Sequence, residues 1–211
     1  MMEFMPSPRR IGVLLAAGRG RRMGGTKQLV DWPTADGVKP LVAAAYDAIR
    51  PICDDMVVVL GHEAEAVAAA LGSRPFDRAQ SDPDAPMFES IRAGLESARA
   101  IDPDATIILQ PADHPEVAAS TLTAVTDWSL QRRVQAVIPE HQGRGGHPAL
   151  IPASVAARIL KSDCPTGLAD FWSAHPDLCT RLPVDDPTIL RDIDTPGDLP
   201  QREGEAPAEP S

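Results

Sequence analysis

Short apolar runs rich in valine, isoleucine and leucine alternate along this chain with alanine-rich stretches of helical period. The runs at 11–16, 56–60, 106–109 and 135–138 read as strands, with weaker ones at 78–80, 149–151 and 181–184. Helical patterns fill the gaps at 41–50, 63–71, 88–100, 116–131, 153–160 and 167–174. Strands that are apolar throughout, separated by helices, bury both faces, so the order predicts an α/β fold: a three-layer α/β/α Rossmann-like architecture with a mostly parallel sheet. The 22 prolines fall mostly between these elements, where they break neither a ladder nor a helix interior. In such a fold, ligands bind at the carboxyl ends of the strands.

Residues 11–199 are expected to form one domain, preceded by a flexible N-terminus at 1–10 and followed by a disordered tail at 200–211. That tail, "PQREGEAPAEPS", is poor in bulky apolar residues and rich in proline and glutamate. The N-terminus lacks the apolar core of a secretory signal, and no run of about 18 apolar residues is present to span a bilayer. The sequence therefore reads as cytoplasmic, with no membrane partner. Three cysteines without C-x-x-C spacing point to neither a disulfide framework nor a zinc site. A net charge of −10 argues against nucleic acid as a partner. The charge is uneven, however: Arg9, Arg10, Arg19, Arg21, Arg22 and Lys27 stand in the first stretch against Glu3 alone. A compact anion suits that distribution better than a polymer.

The cations gather in "LLAAGRGRRMGGTKQL", where Gly18, Gly20, Gly24 and Gly25 alternate with Arg19, Arg21, Arg22 and Lys27 directly after the first strand. Glycines let the backbone turn tightly and bring N–H groups to phosphate oxygens. The dinucleotide fingerprint G-x-G-x-x-G fails here, because three residues separate Gly20 from Gly24 and no acid closes the second strand. The P-loop pattern fails as well, since Thr26 precedes Lys27 and Gln28 stands where Ser or Thr would hold magnesium. Arg19 and Arg21 are compatible with side chains that point into solvent.

The pattern L-A-A-G-x-G-x-R-M-G-x-x-K-x-L resembles the signature loop of the MobA-like nucleotidyltransferases, and the likeness extends over roughly residues 11–199. By that resemblance Ala16, Ala17, Gly18, Gly20, Gly24 and Lys27 bind a nucleoside triphosphate, with Lys27 and Arg22 as catalytic cations. "MFESIRAGL" is similar to the family stretch that places a serine at the nucleotide, which makes Ser90 a ligand; a serine at a helix start also serves as an N-cap. "LQPADHP" resembles the acidic motif, which implies that Asp113 is catalytic and binds Mg²⁺. "GRGGHPALI" is similar to the Gly-His-Pro segment on the acceptor side, so His147 is either an acceptor contact or an organiser of its loop. "DDPTILRDIDTPGDL" resembles the C-terminal signature, which makes Asp194 a second metal ligand or the N-cap of a helix starting at 195–196.

The resemblance implies transfer of a nucleoside monophosphate to a phosphorylated acceptor, with release of pyrophosphate. Among its molybdopterin members, cytidylyltransferases resemble "LAAG" and guanylyltransferases "LAGG". Ala17 therefore implies CTP as donor, with molybdopterin as acceptor and a molybdenum enzyme as a transient partner. Other acceptors, such as a sugar phosphate, and a non-catalytic nucleotide-binding cofactor chaperone stay open. The failed fingerprint counts against a flavin or nicotinamide oxidoreductase.

Overall fold

The structure, a computed structural model, describes residues 8–132, 134–164 and 167–200. The strands are β1 Arg10–Ala16, β2 Asp31–Thr34, β3 Gly37–Pro40, β4 Asp55–Leu60, β5 Asp77–Gln80, β6 Thr106–Pro111, β7 Ala136–His141, β8 Arg144–Gly145, β9 Ala149–Ile151 and β10 Cys179–Pro183. The helices are α1 Leu41–Ile49, α2 Ala64–Ala70, α3 Met87–Ile101, α4 Ala119–Gln131, α5 Ala153–Ile159 and α6 Leu168–Ala174. The expected N-terminal segment lies outside the described residues up to position 7, and the expected tail lies outside them from position 201.

The main sheet runs β10-β7-β9-β6-β1-β4-β5, with β8 attached to β7. β1 pairs in parallel with β4 and β6, and β4 pairs in parallel with β5. β9 is inserted antiparallel between β6 and β7, so the sheet is mostly parallel. Alternation assigns the two faces. Ile11, Val13, Val57, Val59, Ile107 and Leu109 pack with α3, α5 and α6. Leu14, Ala16, Val58, Leu60 and Ile108 pack with α1, α2 and α4 on the other side. Both faces of the central strands are thereby buried, as their continuous apolar sequence requires.

The structure differs from the sequence reading in three places. The helix expected at 116–131 begins at Ala119, because Asp186 accepts hydrogen bonds from the Ala118 N–H and Thr121 Oγ1 and holds 115–118 as an extended wall. Glu63 adopts φ 47°, outside helical geometry, so α2 starts one residue later than expected. The antiparallel β2–β3 hairpin was not expected at all. Its signal was the Asp36-Gly37 pair, a turn dipeptide that the prolines around it obscured.

Helix α3 lies against β1 and β4 at Gly94. A Cβ at that position would sit 2.4 Å from Val13 Cγ1 and 2.9 Å from Val59 Cγ2. Both neighbours are β-branched side chains with little room to rotate away. Gly94→Ala is therefore expected to lower stability by about 1–3 kcal/mol despite its better helix propensity, measured as a shift in the urea midpoint at unchanged slope.

Candidate active site

The loops following β1, β5 and β6 meet at the carboxyl rim and enclose a cleft of about 360 Å³. The first loop leaves β1 at Ala16 and folds into two short 3-10 turns, Arg21–Met23 and Lys27–Leu29. Gly20 makes this possible: its φ is +60°, and a Cβ there would lie 2.6 Å from Gly25 O and 2.7 Å from Lys27 N. Gln28 fastens the loop from beneath. Its buried Nε2 donates to Ala16 O at 3.1 Å and to Gly18 O at 2.8 Å, joining the two ends of the turn. Of the expected loop residues Ala17, Gly18, Gly20, Arg22 and Lys27 line the cleft; Ala16 is fully buried in the core and Gly24 is exposed at the surface, and neither lines it.

Lys27 points inward and is bonded to two carboxylates at once. Its Nζ lies 2.7 Å from Asp113 Oδ2 and 2.8 Å from Asp194 Oδ1. Arg22 Nη1 reaches Asp194 Oδ2 at 2.8 Å. Burial disfavours the charged ammonium, but Asp113 and Asp194 outweigh it and hold Lys27 above the ordinary lysine range. The hydrogen bond from Lys27, overcoming desolvation, keeps Asp194 below the ordinary aspartate range. Asp113 sits on the loop after β6, and its carbonyl accepts the Ile193 N–H at 3.0 Å, which brings Asp194 alongside. Asp194 is no cap: Asp198 takes the N–H groups of Thr195 and Asp194 and leaves the Asp194 side chain free to face Lys27.

Ser90 lies inside α3, whose N-cap position is Pro86, so it does not cap the helix. Its Oγ lies 2.9 Å from Ser81 Oγ at the cleft wall. This end of the cleft, lined by Ala17, Pro83, Ala85 and Met87 with Asp82 as its one ionised side chain, is less charged than the Lys27 end. Arg19 lies at the surface in an ion pair, its Nε donating to Asp84 Oδ1 at 2.8 Å, while the side chain of Arg21 lies outside the described part. Sequence reasoning missed Gln28, whose burial is visible only once the loop is folded, and the 82–87 wall, which carries no motif.

The MobA-like NTP transferase domain model matches residues 12–178. This chain belongs to the MobA-like NTP transferase family. Molybdenum cofactor guanylyltransferase of Pseudomonas aeruginosa is 35% identical over 106 residues, 50% of this chain and 48% of that protein, so the match spans about half the length of that relative. The enzyme of the same name from Ectopseudomonas mendocina is 27% identical over 189 residues, covering 87% of each chain. Among solved structures, Rv0371c of Mycobacterium tuberculosis H37Rv is similar at 27% identity and TM-score 0.74, over 90% of this chain and 95% of that one. Its manganese complex is similar at 26% identity and TM-score 0.69, over 90% and 95%.

One residue of this MobA-like chain lies away from its expected surroundings. His147 lines none of the clefts on this rim; its N–H is drawn to Ile189 O at 3.0 Å and its ring packs edge-on against His114, centroids 4.8 Å apart. The geometry fits the loop-organising reading better than direct acceptor contact. Burial pushes the His147 imidazole down to about 4, with His114 adding to the effect. Between that value and the ordinary 6.5 the unfolded chain binds the extra proton, so stability rises with pH across this window. Wild type is expected to lose stability as pH falls from 6.5 toward 4, and His147→Asn to flatten that slope, read from urea titrations at each pH.

Proposed function

We propose that this protein transfers a nucleotidyl group from CTP to the phosphate of molybdopterin and releases pyrophosphate. The observation that carries the reading is Lys27 shared between Asp113 and Asp194 at the charged end of a cleft whose other end is mainly apolar. A nucleotide has the same polarity, with phosphates at one end and a base at the other. The acceptor phosphomonoester, with a second pKa of about 6, is largely ionised at neutral pH and needs no general base. The work left to the protein is positioning and charge stabilisation.

Lys27, Arg22 and the N–H groups of the Gly18–Gly20 turn hold the triphosphate, with Lys27 nearest the α-phosphate. Ser90 and its partner Ser81 face the ribose or base. Asp113 and Asp194 fit a Mg²⁺ site: Asp113 Oδ1 is buried and takes no hydrogen bond, and Mg²⁺ commonly uses one or two carboxylates and completes its shell with phosphate and water. When bound there, the cation neutralises phosphate charge on the leaving pyrophosphate. The similar Rv0371c also forms a manganese complex, which supports a divalent cation as part of the reaction. On substrate binding, Lys27 exchanges its carboxylate partners for phosphate oxygens, which would leave Asp113 and Asp194 free to hold a divalent cation.

Ala17 supports CTP, since it is a cleft-lining residue where alanine leaves less room beside a base than glycine would. The names of the curated relatives favour GTP as a second reading. Pyrophosphate release with Mg²⁺ and molybdopterin, compared across CTP, GTP, ATP and UTP, separates them: release with CTP alone upholds the first reading, and release with GTP alone transfers the assignment to the second. Lys27→Met and Asp113→Asn are each expected to lower kcat by about 10²–10³ without loss of folded structure by circular dichroism. Full activity in both variants would overturn the proposal.

A further inference from the structure

Arg19 stands between Gly18 and Gly20, which line the cleft from the loop after β1, and Asp84 stands between Pro83 and Ala85, which line it from the loop after β5. Their side chains meet. Arg19 Nε donates to Asp84 Oδ1 at 2.8 Å and Nη2 donates to Asp84 Oδ2, a two-pronged contact that ties the glycine loop to the 82–85 wall. Each end of the tie is itself held in place. Gln28 grips the Gly18 carbonyl from beneath, and the Gly20 carbonyl accepts the Met23 N–H at 2.8 Å. On the wall, Asp82 Oδ1 accepts the Asp84 N–H at 2.9 Å and the Asp82 carbonyl accepts the Ala85 N–H at 3.2 Å, which folds 82–85 into a turn.

We infer that Arg19 and Asp84 are a positioning pair for the nucleotide: by fixing the glycine loop against the 82–85 wall, they keep the less charged end of the cleft at the width that a base and ribose need. The inference rests on the transferase reading above, in which a triphosphate occupies this cleft, and adds which residues outside its lining set its shape. Stability does not account for the pair. The two side chains are 33% and 54% exposed, and ion pairs so exposed add little to folding. What a planar guanidinium joined to both carboxylate oxygens does supply is direction. The glycines on either side of Arg19 give that part of the loop more backbone freedom than other residues would. The ion pair removes some of that freedom before the ligand arrives, so binding has less of it to lose. Neither Arg19 nor Asp84 lines the cleft itself, so the effect falls equally on the bound ground state and the transition state.

Charge and position predict opposite signs for one variant. If the pair acted by charge alone, Arg19→Gln would weaken triphosphate binding and Asp84→Asn, which removes a negative charge beside the cleft, would tighten it. A positioning pair loses affinity in both, and the double variant is no weaker than either single one. Calorimetry on the full-length protein with CTP and with GTP is expected to give, for the tighter-binding nucleotide, a Kd about three- to tenfold higher in each single variant and a double variant within about twofold of them. In the pyrophosphate assay with molybdopterin, the triphosphate KM is expected to rise by the same factor while kcat stays within about twofold of wild type. The urea midpoint is expected to stay at the wild-type value. Arg78→Gln, which breaks an exposed ion pair with Glu65 away from this cleft, is the control and is expected to bind like wild type. Asp84→Asn binding as tightly as wild type or tighter overturns the inference, as does equal weakening in Arg78→Gln; both leave the transferase reading standing. A wild type that binds neither triphosphate overturns the inference and the reading together.

Discussion

One ammonium group holds the reactive rim together. Lys27 Nζ is bonded to Asp113, 86 residues away, and to Asp194, 167 residues away. Three segments that share no local structure converge on that atom. Two carboxylates brought so close repel each other unless a cation stands between them, and the partial burial of all three makes the arrangement expensive to break at one member alone. Arg22, far more exposed, adds a second cation on the outer oxygen of Asp194. The site is thus an anion pair neutralised by protein cations.

That arrangement depends on a hydrogen-bonded frame around it. The parallel strands β6, β1 and β4 end at one level, so their following loops share a rim without long excursions. Gln28 closes the first loop by clamping the carbonyls of Ala16 and Gly18, which fixes where the next N–H groups point. Ile193 hangs from the Asp113 carbonyl and packs against Trp32, so the C-terminal segment is positioned by the acidic loop and the hairpin together. Asp186 performs the same service for the wall at 115–118. Each of these buried polar groups spends its hydrogen bonds on backbone, which is how irregular loops become rigid.

Much of this was legible in the residues. The parallel sheet followed from strands that are apolar on both faces, and all the expected strands are present, their ends shifted by up to three residues. The cationic glycine loop announced an anion site through the residue types alone, because close N–H approach needs glycine and phosphate needs positive charge. Ser90, Asp113 and Asp194 were identified by resemblance, and the fold brings all three to the same cleft as Lys27. The hairpin was missed because Pro33 and the charged turn disguise its alternation. His147 was read with two roles open, and only packing against His114 distinguishes them.

The sequence by itself determined the layer architecture, the position of the cationic glycine loop after the first strand and the chemical character of its residues. These depend on periodicity and on side-chain type, which are properties of neighbouring positions. Only the tertiary structure decided which side chains meet: that Lys27 bridges two aspartates, that Asp194 faces the site instead of capping a turn, that Gln28 is a buried clamp and that Arg19 pairs with Asp84. Those facts depend on distances between segments dozens of residues apart. No local pattern encodes them, because they are set by how strands order in the sheet and how loops of differing length pack over its edge.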